Sequence, residues 1–342
     1  WTSGGVLVPL FSYMFNINPH VITDGADGAI LIYREYDVYY DPYGPTITLE
    51  RMRMQRVDRH GNLLWGDRSI IVATSPDNTG FRDYGIISDG AGGAIYTYVV
   101  PAADVILVAR RDSDGALIWS EFIEQPTFLY SDDMKIVEDG SGGAIVSWVS
   151  YEEENHTLLA QRFSSDGTAM WTIGGEEIVT DTVDPGSIQL TSAGSGGALI
   201  AWADDRSGSF DIYAQRLGEN GTCEWVSGGI AVCAASGDQI DPGITVSGVE
   251  GAVISWTDGR GIATDIYTQR LDSFGVSQWA TDGIPVCSEP HDQIDPLIVG
   301  DEDDGAIVTW LDFRLMETTY HEIYTQRIDP GGVGLWASGG EV

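Results

Sequence analysis

Three aspartate–arginine pairs stand out among the residues able to do chemistry: Asp204/Arg206, Asp258/Arg260 and Asp312/Arg314, each 54 residues from the next. A carboxylate and a guanidinium two residues apart either form a close ion pair or carry acid–base work. Copies at a fixed interval favour the structural role, with the aspartate capping a turn and the arginine reaching a neighbour. The matching places earlier in the chain hold Glu35/Asp37, Val100/Ala102 and Ser150/Glu152, so the pattern breaks there. A second constellation is aromatic. Tyr36, Tyr39, Tyr40 and Tyr43 lie in a stretch that lengthens the interval from Tyr33 to Gln55 to 22 residues, against 13 in three later units. Tyrosine gives wide contact area and a hydrogen-bonding tip at small entropic cost, which suits recognition of a sugar or a protein. The plainer alternative is a long hairpin packed on its neighbour.

Other chemistry is thinly represented. Asp112 with Asp114, and Asp301 with Asp303, offer oxygen ligands for Ca²⁺, but neither run completes an EF-hand spacing. No cofactor is implied beyond that weak Ca²⁺ signal. Five histidines are scattered without zinc spacing. Cys233 and Cys287 are repeat equivalents, too far apart to bridge, and with Cys223 they read as free thiols. Asn155 and Asn220 head glycosylation sequons. There is no Gly-x-Ser-x-Gly elbow. The run Ser164–Trp171 resembles the Asp-box of sialidases but lacks the residue between Asp and Gly, and reads as the repeat's own turn. No catalytic residue is assigned.

The elements that position these residues are set by repetition. Gly-Ala pairs begin at Gly28, Gly93, Gly143, Gly197, Gly251 and Gly305, and tryptophans recur at Trp65, Trp119, Trp171, Trp225, Trp279 and Trp336. Six arginines (Arg56, Arg110, Arg162, Arg216, Arg270, Arg327) each precede a turn glycine by five residues. Within each unit, short runs rich in β-branched and aromatic residues alternate with turn residues, and helical periodicity is lacking. A four-strand unit repeated six times predicts an all-β, six-bladed β-propeller in one domain. The blades fall at roughly 9–65, 66–119, 120–171, 172–225, 226–279 and 280–342, with 1–8 a surplus strand that closes the ring or pairs with a neighbour.

Charge bounds the partners. There are 52 acidic and 17 basic residues, a net charge of −35, and Lys135 is the only lysine. Nucleic-acid binding is excluded, because phosphate contacts need a basic surface. No apolar run reaches the ~18–20 residues of a membrane span.

The phrase Asp265-Ile266-Tyr267, Gln269-Arg270-Leu271, a Gly turn and Trp, then Gly-Ile-x-Val-Cys and Asp-Gln-Ile-Asp-Pro resembles the propeller repeats of large secreted or cell-surface bacterial proteins, which often end in a sorting domain. The resemblance is closest over 184–342. It implies extracellular placement and a scaffold or adhesion role. The ends add a hint, since Trp1-Thr2-Ser3-Gly4-Gly5 matches Trp336-Ala337-Ser338-Gly339-Gly340. The expectation is therefore a non-catalytic extracellular scaffold, not an enzyme, with protein partners or self-association through terminal strands. A lectin-like propeller binding glycans is the first alternative, and a polysaccharide-acting enzyme the second.

Overall fold

The computed structural model describes residues 14–41, 44–75, 80–81, 83–100, 105–123, 133–152, 155–182, 186–301, 303–315 and 321–342. Trp1–Val8 and Tyr43 lie outside them. Among the described residues all regular structure is β. The first sheet runs β1 (Met14–Thr23), β2 (Ala29–Asp41), β3 (Gly44–Val57), β4 (Ile70–Ser75), and the second β5 (Tyr84–Ser88), β6 (Ala94–Val100), β7 (Val105–Arg111), β8 (Leu117–Ile123). The third holds β9 (Lys135–Glu138), β10 (Ala144–Glu152), β11 (Asn155–Phe163), β12 (Glu176–Thr182). The fourth holds β13 (Gly186–Gly194), β14 (Gly197–Asp204), β15 (Asp211–Leu217), β16 (Ile230–Cys233). The fifth comprises β17 (Gln239–Ser247), β18 (Gly251–Asp258), β19 (Asp265–Leu271) and β20 (Ile284–Cys287). The sixth has β21 (Gln293–Gly300), β22 (Ala306–Asp312) and β23 (Glu322–Ile328), with Thr325 bridging to Glu341 at the fourth position. Each sheet is an antiparallel meander in chain order, and the fold is a six-bladed β-propeller. The tryptophans do not end the blades. In blades 1, 3, 4 and 5 the outer strand follows the tryptophan, which opens the turn leading into it, whereas in blade 2 Trp119 lies within β8.

One glutamine builds that turn. Gln55, Gln161, Gln215, Gln269 and Gln326 each accept, through Oε1, the N–H of the following arginine and of the tryptophan ten residues on, at 2.9–3.1 Å. Their Nε2 groups donate to a carbonyl of the turn itself, such as Gly66 or Ala280. Tryptophan and arginine then bind the next blade. Trp65 Nε1 and Arg56 Nη1 both donate to the Ser113 carbonyl at 3.0 Å, and Trp279 and Arg270 share the Pro330 carbonyl. Blade 2 departs from this scheme, with Ala109 where the glutamine should be. Its turn is gone, and β8 pairs continuously with β7 from Arg110↔Trp119 to Ile106↔Ile123.

Packing divides the chain into two compact units, residues 1–146 with 161–175, and 147–160 with 176–342. In the first, Ile30, Ile32, Met52, Met54, Trp65 and Tyr84 pack with residues of β6 and β7. In the second, Trp256 is fully buried among residues of blades 4 and 5, and Trp310 anchors the core of blade 6. Loops on one face meet as the meander requires: Gln239 N–H donates to the Phe210 carbonyl at 2.7 Å, and Gln293 N–H to that of Thr264 at 2.9 Å.

Candidate functional site

The repeated aspartate–arginine pairs form a buried clasp in blades 4, 5 and 6. Asp258 is fully buried and accepts the Trp256 indole N–H at 2.7 Å and the Arg260 side chain at 2.6 and 2.7 Å. The Arg260 guanidinium lies 3.9 Å from the centre of the Tyr267 ring and donates to the Asp282 carbonyl. Asp204 with Trp202 and Arg206, and Asp312 with Trp310 and Arg314, repeat the arrangement. Arg260 also donates to Cys233 Sγ of the preceding blade at 3.2 Å, and Arg314 to Cys287 Sγ at 3.1 Å, so the clasp ties neighbouring strands together. Burial pushes the Cys233 and Cys287 thiols beside it to about 12 and about 11, which keeps them protonated and inert as nucleophiles. All three cysteines are free.

Blade 1 rebuilds the clasp and leaves other groups over. Tyr33 stands at the tryptophan position, and its hydroxyl donates to Ser69 Oγ. Glu35 replaces the aspartate. Its guanidinium partner, Arg53, comes from β3, where the later blades carry tyrosine, with Nε 2.5 Å from Glu35 Oε2 and Nη1 donating to the Arg68 carbonyl. Arg51 adds a second positive charge 3.6 Å from Glu35.

The groups left over converge where β1, β2 and β5 meet. His20 on β1 is exposed and stacks on Tyr84 of β5, ring centres 4.7 Å apart at 23°. The Arg34 guanidinium carbon sits 5.8 Å from both the Tyr84 and the Tyr36 ring centres. Arg34 donates to the Phe81 carbonyl at 2.5 Å, and Glu50 faces it at 3.7 Å while accepting the Phe81 N–H. The Tyr84 hydroxyl donates to the Asn18 carbonyl, which fixes the ring under His20. Asn18 has φ +50°, in the bulge that interrupts β1 between Ile17 and His20. Asn and Asp tolerate this left-handed conformation. Asp241 and Asp295 adopt it in the corresponding bulges of β17 and β21.

Electrostatics suit proton transfer. Partial burial, then the nearby Lys135 charge, holds the His20 imidazole below its ordinary pKa, so it is neutral near pH 7. Burial pushes Tyr84 up to about 12. Glu50 is raised by burial, an effect opposed by Arg34. Asp83, beside Tyr84, is pushed up to about 6 by burial and accepts the Met134 N–H at 2.5 Å. Eleven of the 17 basic residues belong to the first unit, against its 21 acidic ones; the second unit has six against 31.

Of the sequence-derived candidates, Tyr36 alone joins this cluster. Tyr39 and Tyr40 continue β2, paired with Thr46 and Pro45 of β3, and their side chains lie outside the described residues. The Asn155 side chain is likewise outside them, whereas Asn220 is exposed in the Gly218–Thr222 turn. Asp112 caps its own turn by accepting the N–H groups of Asp114 and Ala116. Asp301 and Asp303 both bind Arg327, at 2.7 and 2.6 Å. Among the described residues no group of three or more metal-ligating side chains occurs. His20, Arg34 and Tyr84 carried no motif. Their signal was departure from the repeat: Arg34 stands where the later blades have Ala203, Thr257 and Leu311.

The sequence matches no family model and no curated protein. Solved structures do resemble it. One is an ulvan lyase, described as a new family of polysaccharide lyase and bound to -[GlcA(1-4)Rha3S]-, with TM-score 0.51 and 10% identity over 92% of this chain and 79% of that one. Others are a Penicillium chrysogenum alpha-L-arabinanase complexed with arabinobiose (TM-score 0.40, 11% identity, 71% and 80% covered) and a Dyadobacter fermentans protein of unknown function (0.44, 11%, 90% and 93%). The likeness is one of fold. It corrects the expectation of a non-catalytic scaffold that is not an enzyme. A structure of similar fold is a polysaccharide lyase, so the fold is no argument against chemistry. Among the described residues no helix is long and apolar enough to cross a membrane.

Proposed function

We propose that the chain cleaves a uronate-bearing polysaccharide by β-elimination at the His20–Tyr84–Arg34 cluster. The observation that carries this reading is a neutral, solvent-facing imidazole held by stacking beside a tyrosine-flanked guanidinium. In a uronate the proton next to the carboxylate becomes removable once a cation neutralises that carboxylate. Arg34 fills this role, and the imidazole of His20 takes the proton. The C4–O bond then breaks, a C4–C5 double bond forms and the leaving oxygen takes up a proton. Hydrolysis is the weaker reading. It needs two carboxyl groups free to act across the bond, and here Glu35 is bound by Arg53 while Glu50 accepts the Phe81 N–H. The fold shared with a lyase supports the elimination reading, and a polymer substrate suits an extracellular setting.

The test is incubation with ulvan, alginate and pectate, and with neutral arabinan, following both ultraviolet absorbance of the unsaturated uronide and new reducing ends. Absorbance rising with a uronate polymer supports the proposal. Reducing ends from arabinan without absorbance would replace it with hydrolysis.

A further inference from the structure

The altered second blade creates a surface unrelated to that cluster. In blades 1, 4 and 5 the outer strand places an isoleucine opposite the third strand: Ile70 opposite Met54, Ile230 opposite Ala214, Ile284 opposite Thr268. Each isoleucine reaches under a turn glycine of the following blade, where a Cβ on Gly115, Gly275 or Gly332 would strike its Cδ1. The other three blades carry a glutamate at the same register position: Glu121 opposite Val108 in blade 2, Glu176 opposite Ala160 in blade 3 and Glu341 opposite Thr325 in blade 6. A carboxylate cannot plug an apolar slot, and a cavity of about 190 Å³ opens beside Phe163 and Gly167. Apolar cavities of ~150 Å³ already take up benzene.

The surroundings point to an occupant. β8 is the outermost strand of its sheet, seven residues long, with Leu117, Ile118 and Phe122 all more than half exposed. Across the cavity mouth Ile173 is 96% exposed. Among the described residues no strand pairs with the outer edge of β8, and an apolar strand edge of that kind is a template for an added strand. Two carboxylates stand beside it: Glu121 lines the cavity, and the nearby turn carries exposed Asp166, whose carboxyl hydrogen bonds from Ser164 and Thr168 hold below its usual range, while Arg110, which donates to the Ser165 carbonyl of that turn, is paired with Asp89. Lysine and arginine match such a site, because their aliphatic stems bury while the charged head stays at the rim.

We propose that the β8 edge and its cavity dock an extended segment of a basic partner protein, which pairs with β8 and seats a lysine or arginine stem in the cavity with its charge on Glu121. Binding of a capped peptide of alternating lysine and threonine, at physiological ionic strength, tests this. The comparisons are the same peptide with every lysine acetylated, and the variants Glu121→Ile and Glu138→Gln. Glu121→Ile installs the plug of blades 1, 4 and 5, so its melting temperature should equal or exceed that of the parent, which verifies folding. The expected result is binding to the parent and to Glu138→Gln, at least tenfold weaker binding to Glu121→Ile, and none of the acetylated peptide. No binding to the parent, or equal loss in the two variants, would overturn the proposal and reduce the effect to adsorption on an acidic surface.

Discussion

At the residue scale, the proposed elimination gives His20 and Arg34 different work, and their variants should fail differently. His20→Ala should lower kcat at least a hundredfold with little change in KM, the usual scale of a lost general base. Arg34→Ala should lower kcat and raise KM, since the guanidinium meets the carboxylate in ground state and transition state alike. Because burial and Lys135 lower the His20 pKa, kcat/KM should hold constant as pH falls toward 6.5 and drop only below it. A decline beginning well above pH 6.5 would show that another group sets the rate. Asp83 gives a separate test of the same corner. Its folded pKa is raised to about 6, so between about pH 4 and 6 the folded state binds more protons than the unfolded one. Stability must therefore fall as pH rises through that window, by less than about 3 kcal/mol. Asp83→Asn should flatten that slope in melting temperature against pH.

At the element scale, stability rests on side-chain hydrogen bonds that repeat with the blade. Gln269→Ala leaves the N–H groups of Arg270 and Trp279 without their acceptor and should cost about 1–3 kcal/mol. Asp258→Ala strands the buried Trp256 N–H and the Arg260 guanidinium, and should cost about 2–4 kcal/mol in denaturant unfolding. The exposed Asp27→Asn should change nothing measurable. These devices were legible in the sequence because they recur at fixed spacing, the Gln-Arg pair in five blades and Asp-x-Arg in three. The candidate site was not legible, for the opposite reason. His20, Arg34, Glu50 and Tyr84 are unique, come from four strands, and meet only through the bulge at Asn18 and the stacking of blade 1 on blade 2. Rewiring of the clasp from Asp-x-Arg to Glu35–Arg53 was equally hidden, since the guanidinium moved to a neighbouring strand.

At the scale of the whole molecule, a net charge of −35 on 342 residues repels itself. Added salt screens that repulsion, so melting temperature should rise from low to moderate ionic strength. A flat response would mean that local arginine pairs already neutralise the field. The charge also bears on substrate. An acidic polymer is repelled by the whole chain, but less by the first unit, whose 11 basic and 21 acidic residues leave −10, than by the second, whose six and 31 leave −25. The most direct measurement is therefore ultraviolet absorbance during incubation of the parent protein and His20→Ala with a uronate polysaccharide. The account predicts absorbance from the parent and almost none from the variant. Equal rates from both, or cleavage confined to neutral polymers, would contradict it.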